Sequence, residues 1–269
     1  MNESSSNFGV VEKRIQIDGV SINYARAGNG PTNILCLPGA VGSWATDFKP
    51  VLERYNHEKF TIICWDPPAP GFGKSRPPDR DFSEGYNARD AVMAHKLMAR
   101  LSLLPYSMLG WSDGGIVALY IAHQHRETNS VNKLVIWGSS SYVTKDQVAV
   151  YEDIKDVSKW SEASKKPYVD IYGEDYFKWA WRKHFDSLIE LFETHGGNKC
   201  KEILSEIRHP VLVIHGVEDV FMGKEHPLYF GEKIPNCRVE FKERGLHSVH
   251  KQYFHWFKGQ VEKFLLEEK

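Results

Sequence analysis

The chain lacks the features that mark several protein classes. No apolar run approaches the roughly 18 residues that a membrane-spanning helix needs, so no integral membrane protein is expected. Charge of one sign is missing too: 34 Lys and Arg stand against 35 Asp and Glu, a formal net charge of -1. That balance offers no electrostatic footprint for nucleic acid or an anionic membrane surface. The start, MNESSSNFGVVEKR, has neither the apolar stretch of a secretory signal nor the Arg-rich, acid-poor character of a mitochondrial presequence. A soluble cytoplasmic monomer that binds neither nucleic acid nor membrane is the expectation. Cysteine is sparse: Cys36, Cys64, Cys200 and Cys237 are scattered without C-x-x-C spacing. No metal, redox or disulfide site is expected from them, and Cys36 and Cys64, inside apolar runs, read as small buried hydrophobes.

What is present is a regular alternation. Two β-like runs, VVEKRIQI and VSINYARA, flank Asp18-Gly19, a hairpin signal. Short continuous apolar runs follow, NILCLPG, FTIICWD, YSMLGWS and VNKLVIWG, separated by segments such as Tyr86 to Leu101 with helical spacing. Such runs alternating with helices predict a mostly parallel sheet covered on both faces, with the opening hairpin as an antiparallel edge. From residue 139 to 207 the chain turns charged, helix-forming and aromatic, which reads as an inserted helical cap whose rings chiefly pack on one another. Strand patterns return with PVLVIHG and RVEFKE, and Tyr253 to Glu267 reads as a closing helix. The expected organisation is therefore an α/β core of residues 1–138 and 208–269 interrupted by the cap.

The stretch LGWSDGG, residues 109 to 115, carries the chemistry. Gly110-x-Ser112-x-Gly114 has the form of a strained strand-to-helix turn that presents a serine nucleophile, and it lies between a predicted strand and a predicted helix as that turn requires. Serine needs a base, and the base an acid that fixes its tautomer. HGVED ends a strand and delivers Asp219; RGLHSVH follows the last strand and supplies His247. Ser112, Asp219 and His247 thus appear in the chain order nucleophile, acid, base, each at the carboxyl end of a strand, where sites form in open α/β sheets. Glu218 and His250 are the nearest competitors. Two backbone N–H groups should face the oxyanion: that of Asp113, after the nucleophile, and that of Ala40, in LPGAVGS. Val41 and Phe221, flanking the oxyanion and acid loops, are candidate pocket residues. PPAPGFGKS resembles the end of a phosphate-binding loop, but Pro68 stands where that motif needs glycine. Pro67, Pro68 and Pro70 also lack the N–H groups that would cradle phosphate.

Taken together, LPG, WD, SRPPDRDF, LGWSDGG, VIWG, DVSKW, HGVED and GLH resemble the α/β-hydrolase superfamily, and within it the valacyclovir hydrolase, or biphenyl hydrolase-like, family. The likeness spans essentially the whole chain. It implies a serine hydrolase acting without cofactor or metal on small-molecule α-amino acid esters, amino acyl ester prodrugs included, and it supports Ser112, Asp219 and His247 as the triad. One segment departs. Where the family reads D-P-R-G-Y-G-x-S, this chain has DPPAPGFGKS, two residues longer and without the arginine, whose role is not carried over to Arg76.

Asp113 is the unusual residue. An acid in the first turn of a helix is ordinary, yet this one adjoins the nucleophile. At about 6 Å and an effective dielectric of about 20, two unit charges interact by about 2.8 kcal/mol, so an unpaired Asp113 would oppose the oxyanion. A substrate with an α-ammonium beside its ester carbonyl reverses that penalty, which marks Asp113 as the amino-group anchor. The rivals are a C–C bond hydrolase or a general carboxylesterase of the same fold, which have no evident use for this carboxylate, and a non-catalytic small-molecule receptor. A dehalogenase or epoxide hydrolase would carry an acidic nucleophile where Ser112 stands.

Overall fold

The computed structural model describes residues 9–67 and 81–268. Residues 1–8, 68–80 and 269 lie outside the described residues, most of PPAPGFGKS and Arg76 among them.

Asp18 and Gly19 both take positive φ, 51° and 81°, the requirement of a two-residue hairpin turn. They join β1 (Val11–Ile17) to β2 (Val20–Ala27) in antiparallel register. β3 (Thr32–Leu37) leads through a helical turn at Trp44–Phe48 and α1 (Lys49–Arg54) to β4 (Phe60–Trp65). Then follow α2 (Tyr86–Arg100), β5 (Tyr106–Trp111), α3 (Asp113–Gln124) and β6 (Val131–Trp137). Between β6 and the next strand the described elements are all helical: α4 (Lys145–Ile154), α5 (Glu162–Tyr172) and α6 (Glu174–His195), with short helical turns at Val157–Lys159 and Lys201–Glu206. The sheet resumes with β7 (Val211–Gly216), α7 (Glu225–Lys233) and β8 (Cys237–Lys242), and the chain closes with α8 (Val249–Gln252) and α9 (Phe254–Leu266).

The eight strands run in the order β1-β2-β4-β3-β5-β6-β7-β8. β2 meets β4 antiparallel, and every pairing from β4 to β8 is parallel. The expected fold class, a mostly parallel sheet with an N-terminal antiparallel hairpin, is the one observed. β4, β5 and β7 are buried along their whole length, which is why they read as continuous apolar runs rather than alternating ones. Alternate residues still divide between two layers. Leu35 and Met108 pack with Ala94 of α2 and Ile116 of α3. Ile34 and Leu109 pack with Val51 of α1 and Phe257 of α9. Cys36 and Cys64 lie fully buried in that second layer. Among the described residues no helix is long and apolar enough to cross a membrane.

Candidate active site

β5 delivers Ser112 to the carboxyl edge of the sheet and α3 starts at the next residue. Ser112 has φ 54° and ψ -120°, a conformation that L residues resist and that persists only where the surroundings impose it. The flanking glycines make that possible. A Cβ on Gly110 would sit 2.5 Å from the Gly114 carbonyl oxygen, and one on Gly114 would sit 1.9 Å from that of Leu37. The Ser112 N–H donates to the Trp137 carbonyl at 2.9 Å, which ties the turn to β6.

The loops after β7 and β8 bring Asp219 and His247 to the same edge. His247 Nδ1 lies 2.8 Å from Asp219 Oδ2. The second carboxylate oxygen of Asp219 accepts the N–H groups of Phe221 at 2.9 Å and Met222 at 3.1 Å. Burial alone would raise the Asp219 pKa, but the His247 imidazole and these N–H donors outweigh it and hold the carboxyl below its ordinary range. Trp111 Nε1 donates to the His247 carbonyl at 3.0 Å. The His247 ring rests against Gly138, where a Cβ would come within 2.9 Å of it. Ser112 and His247 line one cavity of about 80 Å³ together with Ala40, Val41, Asp113 and Phe221. No hydrogen bond joins the Ser112 hydroxyl to His247 among the described residues; such contacts commonly tighten only once substrate is bound. Of the competitors, Glu218 is exposed. His250 is buried with its ring 4.7 Å from that of Trp111, accepting from Trp137 Nε1 at 2.9 Å and donating through Nε2 to the Asp47 carbonyl at 3.2 Å. Burial with Lys251 alongside keeps it neutral, its pKa far below that of a free histidine.

The loop after β3 is braced from behind. The Gly39 N–H donates to Asp47 Oδ2 at 3.0 Å and the Gly42 N–H to the Gly39 carbonyl at 3.0 Å. The Ala40 N–H makes no hydrogen bond among the described residues. The N–H of Asp113 stands in the first turn of its helix, beside Ser112. Asp47 is fully buried; burial raises its pKa, opposed chiefly by Lys251, whose Nζ lies 3.6 Å from Oδ1. Asp47, a residue with no motif to announce it, thus links the loop after β3 to the segment that carries His247. Asp47→Ala strands the Gly39 N–H and the Lys251 ammonium together. A loss of about 3 kcal/mol in a urea melt is expected, near the lower end for a broken buried pair because Lys251 reaches solvent. Asp47→Asn, which keeps an acceptor for Gly39, should lose less.

The expected pocket residues differ in setting. Phe221 packs its ring 5.0 Å from that of His247. Val41, 2% exposed, packs with Phe82, Tyr86 and Tyr172 as well as facing the cavity. Of the cap aromatics, Tyr151, Tyr168, Trp181 and Phe185 face it. Of the others, Trp160, Tyr172, Tyr176, Phe177 and Phe192 pack into two satellite clusters, Trp179 is exposed, and Tyr142 stands against His226 and Tyr229. Asp113 is 6% exposed and paired. The Tyr86 hydroxyl of α2 donates a short hydrogen bond to Oδ2, and His184 Nδ1 of α6 lies 3.6 Å from the same oxygen. These partners disperse the charge that the sequence left bare and give the carboxylate a fixed orientation. Nothing in the sequence pattern pointed to Tyr86 or His184, since both occupy ordinary core positions of amphipathic helices.

Residues 32–152 match the alpha/beta hydrolase fold family. Serine hydrolase BPHL of Homo sapiens is 38% identical over 95% of this chain and 87% of its own length. The 2-hydroxy-6-oxo-6-(2'-aminophenyl)hexa-2,4-dienoic acid hydrolase of Metapseudomonas resinovorans is 26% identical over 86% of each chain. A solved esterase from Exiguobacterium antarcticum superposes with a TM-score of 0.75 over 96% of this chain and 100% of its own, at 22% identity, a likeness of fold alone.

Proposed function

Since the chain belongs to the alpha/beta hydrolase family and is a serine hydrolase within it, we propose that it cleaves α-amino acid esters through an acyl-enzyme on Ser112. The observation that carries this reading is the buried carboxylate of Asp113, one residue past the serine and on the wall of the same cavity.

The chemistry follows from the groups assembled there. The Ser112 oxygen attacks the ester carbonyl as His247 takes its proton, and Asp219 steadies the imidazolium through Nδ1. The N–H groups of Ala40 and Asp113 receive the oxyanion. The alcohol leaves with the proton from His247, and water then enters by the same sequence to release the acid. Throughout, the Asp113 carboxylate holds the substrate α-ammonium, whose positive charge offsets the carboxylate's repulsion of the developing oxyanion. A neutral amide at that position supplies no compensating charge. The same carboxylate therefore disfavours N-acylated esters.

The test compares kcat/KM for an L-valyl ester and its N-acetylated counterpart. Wild type should prefer the free amine by about tenfold or more, a difference of about 1.4 kcal/mol or above, and Asp113→Ala should lose most of that preference. Equal hydrolysis of both esters by both proteins would reduce Asp113 to a helix-terminal acid and the enzyme to a general carboxylesterase.

A further inference from the structure

Lys199 takes no part in the mechanism above, yet its side chain reaches the cavity that holds Ser112 and Asp113. Its backbone is pinned there. The Lys199 N–H donates to the Ser141 carbonyl at 3.0 Å, its carbonyl accepts the Tyr120 hydroxyl at 2.7 Å, and Asn198 before it pairs with Tyr142. Nζ donates to Ser140 Oγ at 3.1 Å. Among the described residues no carboxylate lies within 4 Å of it. An ammonium has three donors, and this half-buried one has a single neutral acceptor in contact. Burial pulls its pKa below the ordinary lysine value, with the field of Asp113 opposing. A partly desolvated charge with no carboxylate in contact is incompletely satisfied.

Its position says what is missing. A second cavity of about 590 Å³ opens between the start of α2 and the outer half of α6. Among the described residues, Leu188 and Lys199 are the two that line both cavities, so the ammonium stands at their junction. The catalytic cavity is small and offers no arginine or second lysine among its described lining residues, which suits one monoanion rather than a phosphate dianion.

We infer that Lys199 forms an anion subsite, and that the preferred α-amino acid esters carry a carboxylate on the side chain, as aspartyl and glutamyl α-esters do. The inference rests on the reading of Asp113 as the α-ammonium anchor: the acyl group then presents one charge of each sign to two opposite charges on the wall. Neutral and basic side chains leave Lys199 unanswered.

Initial rates with the α-benzyl esters of L-glutamate and L-glutamine, each free and N-acetylated, test this in wild type, Lys199→Met and Lys199→Arg. The two side chains match in length and differ in charge. Wild type should favour the glutamate ester by about tenfold or more, as a charge-assisted contact implies. Lys199→Met should bring the ratio to about one, and Lys199→Arg should restore part of it, which a merely structural lysine would not do. Equal rates for the two esters in wild type, or an unchanged ratio in Lys199→Met, overturn the inference. The acetylated pair separates the two readings. An acid preference that persists when acetylation costs nothing removes Asp113 as anchor and keeps Lys199. Sensitivity to acetylation without sensitivity to side-chain charge does the reverse.

Discussion

Ser112→Ala is expected to lower kcat for ester hydrolysis by about 10⁶-fold, the order seen when a serine triad loses its nucleophile, and to abolish labelling by a fluorophosphonate. The labelling arm also answers the idea of a binding protein on a hydrolase scaffold, because only an activated serine reacts. Stability separates a second variant from the first. Ser112 holds φ at 54°, and alanine inherits the strain of that conformation. Glycine does not. Ser112→Gly should therefore be as inactive as the alanine variant yet more stable by about 1 kcal/mol or somewhat more, read as a shift in the urea midpoint. A glycine variant no more stable than the alanine variant would mean that the turn carries no strain.

The fold was legible because its signals are local. Asp18-Gly19 sets a hairpin by backbone conformation alone, and FTIICW is continuous because both faces of its strand are covered. The glycines around Ser112 were readable for the same reason: each requirement lies within a few residues or at one close backbone approach. The surroundings of Asp113 were not. Tyr86 lies 27 residues before it and His184 sits on a cap helix, so their meeting depends on how α6 docks over the sheet, which no periodicity encodes. Asp47 and Lys199 were missed likewise. Each has a purpose only through a partner far along the chain, Lys251 for the first and the cavity junction for the second. The aromatic, helical character of the stretch after β6 was visible as composition, but which rings turn inward is settled by packing against Val41, Phe82 and Leu188.

Asp219→Asn should cut kcat by about 10⁴-fold while leaving substrate binding nearly intact. The reason is the tautomer. A carboxylate accepts the Nδ1 proton of His247 at 2.8 Å, which leaves Nε2 as the base. An amide can turn its NH₂ to Nδ1, which then moves the ring proton to Nε2, where it faces the serine and cannot accept. The carbonyl oxygen of asparagine can still receive the N–H groups of Phe221 and Met222, so the loop should keep its shape at neutral pH. The acid response should differ more. Because the native state holds the Asp219 pKa below its unfolded value, its contribution to stability is present above the unfolded carboxylate range. It drains away as the pH falls from about 4 through the depressed native pKa. Asparagine does not titrate, so the variant should lose less stability than wild type between neutral pH and about pH 3, measured as the difference in urea midpoints. An equal loss in both proteins would place the acid sensitivity elsewhere and leave Asp219 without the stabilised charge that an imidazolium partner needs.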